Sequence, residues 1–132
     1  MKEINGFGLS ASVKSLKVAL DKVGYKNAIK EVEKLSKKNK EFKLTENETN
    51  SWGYKLLKQN RMSDALEIFK LNVFLFPESA NAFDSLGETY AEYGDTAMAI
   101  KNYEQSFKLD PKNSNAEQQI KNLKQIKKVK SN

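Results

Sequence analysis

The 132-residue chain has no cysteine, no histidine, two prolines and one arginine among its 23 basic residues. Each shortage excludes something. Without cysteine there is no disulfide framework and no thiol chemistry. Without histidine the commonest zinc ligand and general base are missing, and no Ser-His or Cys-His triad can be assembled. The composition therefore points away from an enzyme. No uninterrupted apolar run exceeds four residues, as in Val73 to Phe76, whereas a spanning helix needs about 20. The opening MKEINGFGLS lacks a basic segment followed by an apolar one, so no uncleaved secretory signal is visible. With Arg61 as the lone arginine, the bidentate contacts that nucleic-acid readers favour are nearly unobtainable, which argues against that ligand class.

The formal charge of +6 is unevenly spread. Residues 1–45 carry 11 Lys against 5 acids, residues 46–113 carry 7 basic residues against 11 acids, and residues 114–132 carry 5 Lys against 1 acid. An acidic centre is thus flanked by two basic arms, which read most simply as solvated helix faces.

At an offset of 34 residues the chain matches itself. Asn47 meets Asn81, Ser51 meets Ser85, Gly53 meets Gly87, Ala65 meets Ala99, Leu75 meets Leu109 and Pro77 meets Pro111, while Phe69 pairs with Tyr103. The second copy, residues 80–113, shows the physics of one unit. Phe83, Leu86 and Tyr90 fall at helical spacing, with Gly87 beside them where a second helix must come close. Gly94-Asp95 marks a turn, and Ala99, Ile100, Tyr103 and Phe107 form a second stripe that Pro111 ends. Thr45-x-x-Glu48 and Ser114-x-x-Glu117 read as capping boxes at two helix starts. Each unit is expected to be a helix–turn–helix hairpin.

This pattern resembles the tetratricopeptide repeat (TPR) family, whose 34-residue unit reads W-x2-L-G-x2-Y, A-x3-F, P. The second copy gives Phe83-x2-Leu86-Gly87-x2-Tyr90, Ala99-x3-Tyr103 and Pro111. The first copy, residues 46–79, gives Thr49-x2-Trp52-Gly53-x2-Leu56, Ala65-x3-Phe69 and Pro77, with Thr at the first aromatic position and Trp where Leu is usual. Before them, Val13, Leu16, Leu20 and Val23, then Ala28, Ile29, Val32 and Leu35, suggest a degenerate capping hairpin over 10–45. Ala116, Ile120, Leu123 and Ile126 suggest a polar-backed capping helix within 114–132. The resemblance implies an all-α, right-handed superhelix of about seven helices, preceded by a flexible lead or domain junction over 1–9.

A wider likeness is present. Residues 71–111, with the Lys-rich hairpin KVALDKVGYKNAIKEVEKL, are similar to C-terminal TPR extensions of bacterial serine hydrolases of the beta-lactamase-like superfamily. That likeness implies an appended, non-catalytic module with the hydrolase domain preceding residue 1. The chain itself contains no S-x-x-K and no G-x-S-x-G. The location would be periplasmic or exported for such a fragment, and cytoplasmic for a complete chain.

No cofactor motif survives scrutiny. Gly6-x-Gly8-x-x-Ala11 fits a dinucleotide fingerprint only formally, since it needs a strand before it and only five residues precede it. Acidic pairs such as Glu46-x-Glu48 lack the oxygen-rich loop of a calcium site, and no metal site is expected.

In TPR folds the first helices of successive repeats line a concave groove, so the resemblance implies candidate peptide-binding positions at Asn47, Asn50, Tyr54 and Lys58, and at Asn81, Asp84, Glu88 and Glu92. The last three are spaced by four and form one acidic line. The two-carboxylate clamp of chaperone-tail-binding TPRs is absent, because its positions hold Asn50, Tyr54 and Ser85. Phe74 and Phe76 alternate with Val73 and Leu75, so the four cannot share one helical face. Either one of the two packs under the 40–45 connection, or they form a contact patch for a protein. Two functions fit: an interaction module appended to a hydrolase, or a free-standing adaptor that binds an extended peptide. Either way the expected partner is a protein or peptide.

Overall fold

Ser10 starts the first helix by accepting the Val13 amide at 3.2 Å on its side-chain oxygen, which satisfies one of the free N–H groups of a helix start. The computed structural model describes residues 9–131, with side chains up to Ile126. Gly6, Gly8 and the rest of the proposed lead through Gly8 lie outside the described residues. The described residues form seven α-helices and one short 3-10 turn, with no strand. The helices are α1 (Ala11–Val23), α2 (Ala28–Lys38), α3 (Glu46–Lys58), α4 (Met62–Leu75), α5 (Ala80–Tyr93), α6 (Thr96–Leu109) and α7 (Ser114–Ser131); the 3-10 turn is Tyr25–Asn27. The chain divides into two units between Leu71 and Asn72.

In the first unit α1 buries Val13, Leu16 and Leu20, but Val23 is 48% exposed. Val23 lies at the edge of the stripe, and Gly24 (φ 98°) turns the chain so that Tyr25 enters the core instead. The Tyr25 ring stands edge-on to Trp52, its hydroxyl donates to Asp21 at 3.2 Å, and the Arg61 guanidinium lies over its face at 5.1 Å. On α2, Ala28 and Val32 are buried, whereas Ile29 is exposed and Leu35 half-buried, so the apolar face is narrower than the expected set. The connection after α2 is fastened to α1 by the Lys43 amide, which donates to Ser12 Oγ at 2.9 Å, and Leu44 is buried behind it.

Thr45 and Glu48 make the expected capping box. Thr45 Oγ1 accepts the Glu48 amide at 3.2 Å and Glu48 Oε2 accepts the Thr45 amide at 2.7 Å. Thr49, at the usual aromatic position, is fully buried and donates its hydroxyl to the Thr45 carbonyl at 2.8 Å. Trp52, Leu56, Ala65, Ile68, Phe69 and Leu71 fill the core around it. A Cβ on Gly53 would sit 2.6 Å from the Phe69 ring, so glycine is what lets α3 and α4 cross there.

In the second unit Ser79 caps α5 and Asp95 caps α6 through their side-chain oxygens. Ala82, Leu86, Tyr90, Ala99, Ile100 and Tyr103 are buried, and a Cβ on Gly87 would lie 3.1 Å from the Tyr103 ring. Phe83 and Phe107 are only half-buried; Ser85, Thr89, Asn102 and Ser106 take the interior places, each of small or satisfied polar character. Thr89 donates to the Ser85 carbonyl, Asn102 to Met98 and Ser106 to Ala80. The start of α7 differs from expectation. Asn113, not Ser114, accepts the Ala116 amide at 3.1 Å, because the first residue of α7 is already Ser114 and the cap must precede it. Ala116 and Leu123 are buried on α7, Ile120 is half-buried and Ile126 is 46% exposed.

Candidate functional site

Helix α3 carries two adjacent strips. The first holds the positions that the TPR resemblance implies. Asn47 and Lys58 are exposed, while Asn50 and Tyr54 are half-buried. Tyr54 is partly a core residue, its ring meeting Phe69 edge-on at 5.0 Å. Asn50 Oδ1 is buried with no hydrogen-bond partner among the described residues. The second strip runs through Glu48, Ser51, Trp52, Lys55 and Gln59, and it was not legible from the repeat pattern. It forms one wall of a hollow of about 260 Å³, to which Leu56 also contributes and which Leu9 and Lys17 close from the side of α1. A shallower depression beside it is lined by Ser51, Tyr54, Lys55 and Lys58. The signal available in the sequence was Trp52 itself, a bulky ring where the pattern carries Leu.

The charges around the hollow are unequal. Glu48 is committed to the Thr45 amide, and Lys17 to Asp21 at 3.0 Å. Lys55 and Lys58 form no ion pair among the described residues. The Lys17 hydrogen bond, outweighing the opposing effect of burial and aided by the Tyr25 hydroxyl, holds the Asp21 carboxyl below the usual carboxylate range. Burial, reinforced by the Asp21 charge, pushes the Tyr25 phenol up. Arg61 clamps Asp64 through two nitrogens, at 2.9 and 3.0 Å, and reaches Asp21 at 4.0 Å.

On α5, Asn81 and Glu92 are exposed, and Asp84 and Glu88 are half-buried. Asp84 does not stand as a free groove carboxylate. Its Oδ2 accepts from Asn113 Nδ2 at 2.8 Å, and both oxygens lie within 3.3–3.4 Å of Asn115 Nδ2. Asn113 also donates to Ser106 Oγ at 3.0 Å, so one network ties α5, α6 and the start of α7 together. The signal for it was the Asn113-x-Asn115 pair. Phe74 is 51% exposed and Phe76 half-buried.

No protein-family model matches the sequence, and no curated protein matches it. Among solved structures, that of Naa15/Naa10 bound to HypK-THB contains a chain similar to this one at TM-score 0.57 and 20% identity. The match covers 85% of this chain and 16% of that one, so this chain spans a small part of that neighbour's length. Naa15 is a TPR protein. The fold here is a TPR-like helical repeat. Among the described residues no helix is long and apolar enough to cross a membrane.

Proposed function

We propose that this chain is a non-catalytic protein-interaction module in which each unit offers the exposed face of its own first-of-pair helix, α3 or α5, to a peptide segment. The observation that carries the reading is that the TPR-like hairpins spend their apolar residues and glycines on internal crossings, leaving polar side chains such as Asn47, Lys58, Asn81 and Glu92 on the outside. Amides suit a peptide because each both donates and accepts. The neighbouring solved structure holds Naa15/Naa10 with HypK-THB, a protein assembly, which agrees with such a role for the fold. The absence of histidine and cysteine leaves few routes to nucleophilic catalysis.

A narrower form of the proposal makes the chain an appended module of a bacterial serine hydrolase. Its support is the sequence likeness of residues 71–111, and reading the genomic frame upstream of residue 1 tests it. The alternative is a free-standing adaptor with the same binding face. The test of the shared reading is a peptide array probed with the native chain and with a Glu88→Lys, Glu92→Lys variant. Asp84 is left alone because its carboxylate holds Asn113 and Asn115. The native chain should prefer neutral or basic segments over acidic ones on the α5 face, and the variant should lose that bias. An exposed charge such as Glu92 contributes only about 0.2–1 kcal/mol, so the half-buried Glu88 is changed with it. Identical profiles for the two proteins would remove α5 from the site.

A further inference from the structure

The hollow against Trp52 lies beside the strip formed by Asn47, Asn50, Tyr54 and Lys58, and with Lys58 at its rim its chemistry specifies a ligand. At about 260 Å³ it lies just below the roughly 300–1,000 Å³ of small-molecule sites, which suits one side chain better than a cofactor. Its walls are apolar where they are deepest, since Trp52 and Leu56 are buried and Leu9 adds an exposed aliphatic edge. Among the described residues lining it, Lys17 pairs with Asp21, and Glu48 keeps its charge at the start of α3, where its Oε2 accepts the Thr45 amide. Lys55, which belongs to both the hollow and the neighbouring depression, has no ion-pair partner among the described residues, and neither does Lys58. Two lysines without ion-pair partners among the described residues therefore stand at the rim of an apolar cavity of side-chain size.

We propose that this hollow docks an acidic protein segment in which one aliphatic side chain is flanked by carboxylates, the aliphatic group entering against Trp52 and Leu56 and the carboxylates meeting Lys55 and Lys58. The proposal rests on the interaction reading above and names its ligand class for the first unit. An acidic segment is favoured over nucleic acid because the cavity offers an apolar place for one branched side chain and no arginine for phosphate or base edges.

Trp52 is the sole tryptophan, so tryptophan emission comes from a ring that lines the hollow. The full chain is titrated at low salt with the peptide Gly-Ser-Asp-Leu-Asp-Ser-Gly, and with versions carrying Gly for Leu or Lys for both Asp. The first should give a saturable emission change. Replacing its Leu by Gly should weaken binding about tenfold or more, the loss expected for one buried aliphatic side chain. Ser51→Leu, an exposed position on the wall, should fill the hollow and remove the response while the melting temperature stays close to native. Lys55→Glu with Lys58→Glu should transfer the preference to the Lys-containing peptide; Lys55→Gln with Lys58→Gln, which should weaken the acidic peptide several-fold, serves if the reversed variant fails to fold. Equal binding of the Leu and Gly peptides, an unchanged preference in the lysine variants, or the same emission change with a ten-residue thymidine oligonucleotide would overturn the assignment. If array-selected peptides bind but ignore Ser51→Leu and the lysine variants, the hollow is not the site and the interaction reading survives. If no peptide binds in either experiment, both fail.

Discussion

Gly53 and Gly87 occupy the same repeat position, yet their surroundings are not equally tight. A Cβ at Gly53 would stand 2.6–2.8 Å from three atoms of the Phe69 ring, which is fully buried and has nowhere to swing. At Gly87 the Tyr103 ring would be 3.1–3.2 Å away. Helix propensity favours Ala over Gly by about 1 kcal/mol, which offsets a small adjustment but not a displaced ring. Gly53→Ala should therefore lower stability by about 1–3 kcal/mol, while Gly87→Ala should stay within about 1 kcal/mol of native, both read from urea denaturation. The Tyr25 site adds a pH dependence. Its phenol is raised above its ordinary 10.0 in the folded chain, mainly by burial. The folded state therefore holds the proton more tightly than the unfolded one, so this contribution is complete below about pH 10 and is lost as pH rises through the folded value. Native protein should lose more urea resistance between neutral and strongly alkaline pH than Tyr25→Phe, and equal losses would contradict the assignment.

At the scale of helices, both hairpins turn by the same device. Asn60 (φ 60°) follows α3 and Gly94 (φ 96°) follows α5, 34 residues apart. In each case the next amide returns to the carbonyl five residues earlier, Arg61 to Leu56 and Asp95 to Tyr90, both at 2.9 Å. The positive-φ residue itself donates three residues back, Asn60 to Leu57 and Gly94 to Ala91, which completes a Schellman closure. Gly94-Asp95 was readable as a turn from sequence; Asn60 was not, because asparagine is only the second choice for a left-handed residue. Helix positions were legible wherever a 3.6-residue stripe coincided with a cap, as at Thr45 and Glu48. Stripe edges were not, because Val23, Ile29 and Phe107 sit where a small rotation decides between core and solvent, and composition does not specify that rotation. Asp84 was misleading for a different reason: a spacing of four identifies a shared face but says nothing of side chains arriving from another helix. The cap of α7 gives a direct check. Asn113→Ala removes the cap and two donor contacts, to Asp84 and Ser106, and should cost about 1–3 kcal/mol in thermal melts, whereas Ser114→Ala should cost well under about 0.5 kcal/mol. Reversed magnitudes would restore Ser114 as the cap.

At the scale of the whole molecule, two TPR-like units each build a core from internal glycine crossings and leave polar helix faces outside. The repeat period was legible because 34-residue self-similarity falls on small and helix-ending residues, whose geometry cannot be supplied by arbitrary substitutes. The binding chemistry was much less so, since the hollow joins Leu9 and Lys17 to α3 residues some thirty or more positions later rather than coming from any local motif. The central proposal is that each unit recognises peptide on its own first-of-pair face, α3 in the first unit and α5 in the second. It is tested most directly by following backbone amide resonances of the full 132-residue chain during titration with an array-selected peptide. The account predicts that shifts concentrate in residues 47–59 and 81–92, with the interior amides of α2 and α6 unmoved. Shifts confined to Phe74 and Phe76, or to the Lys-rich helices α2 and α7, would contradict it.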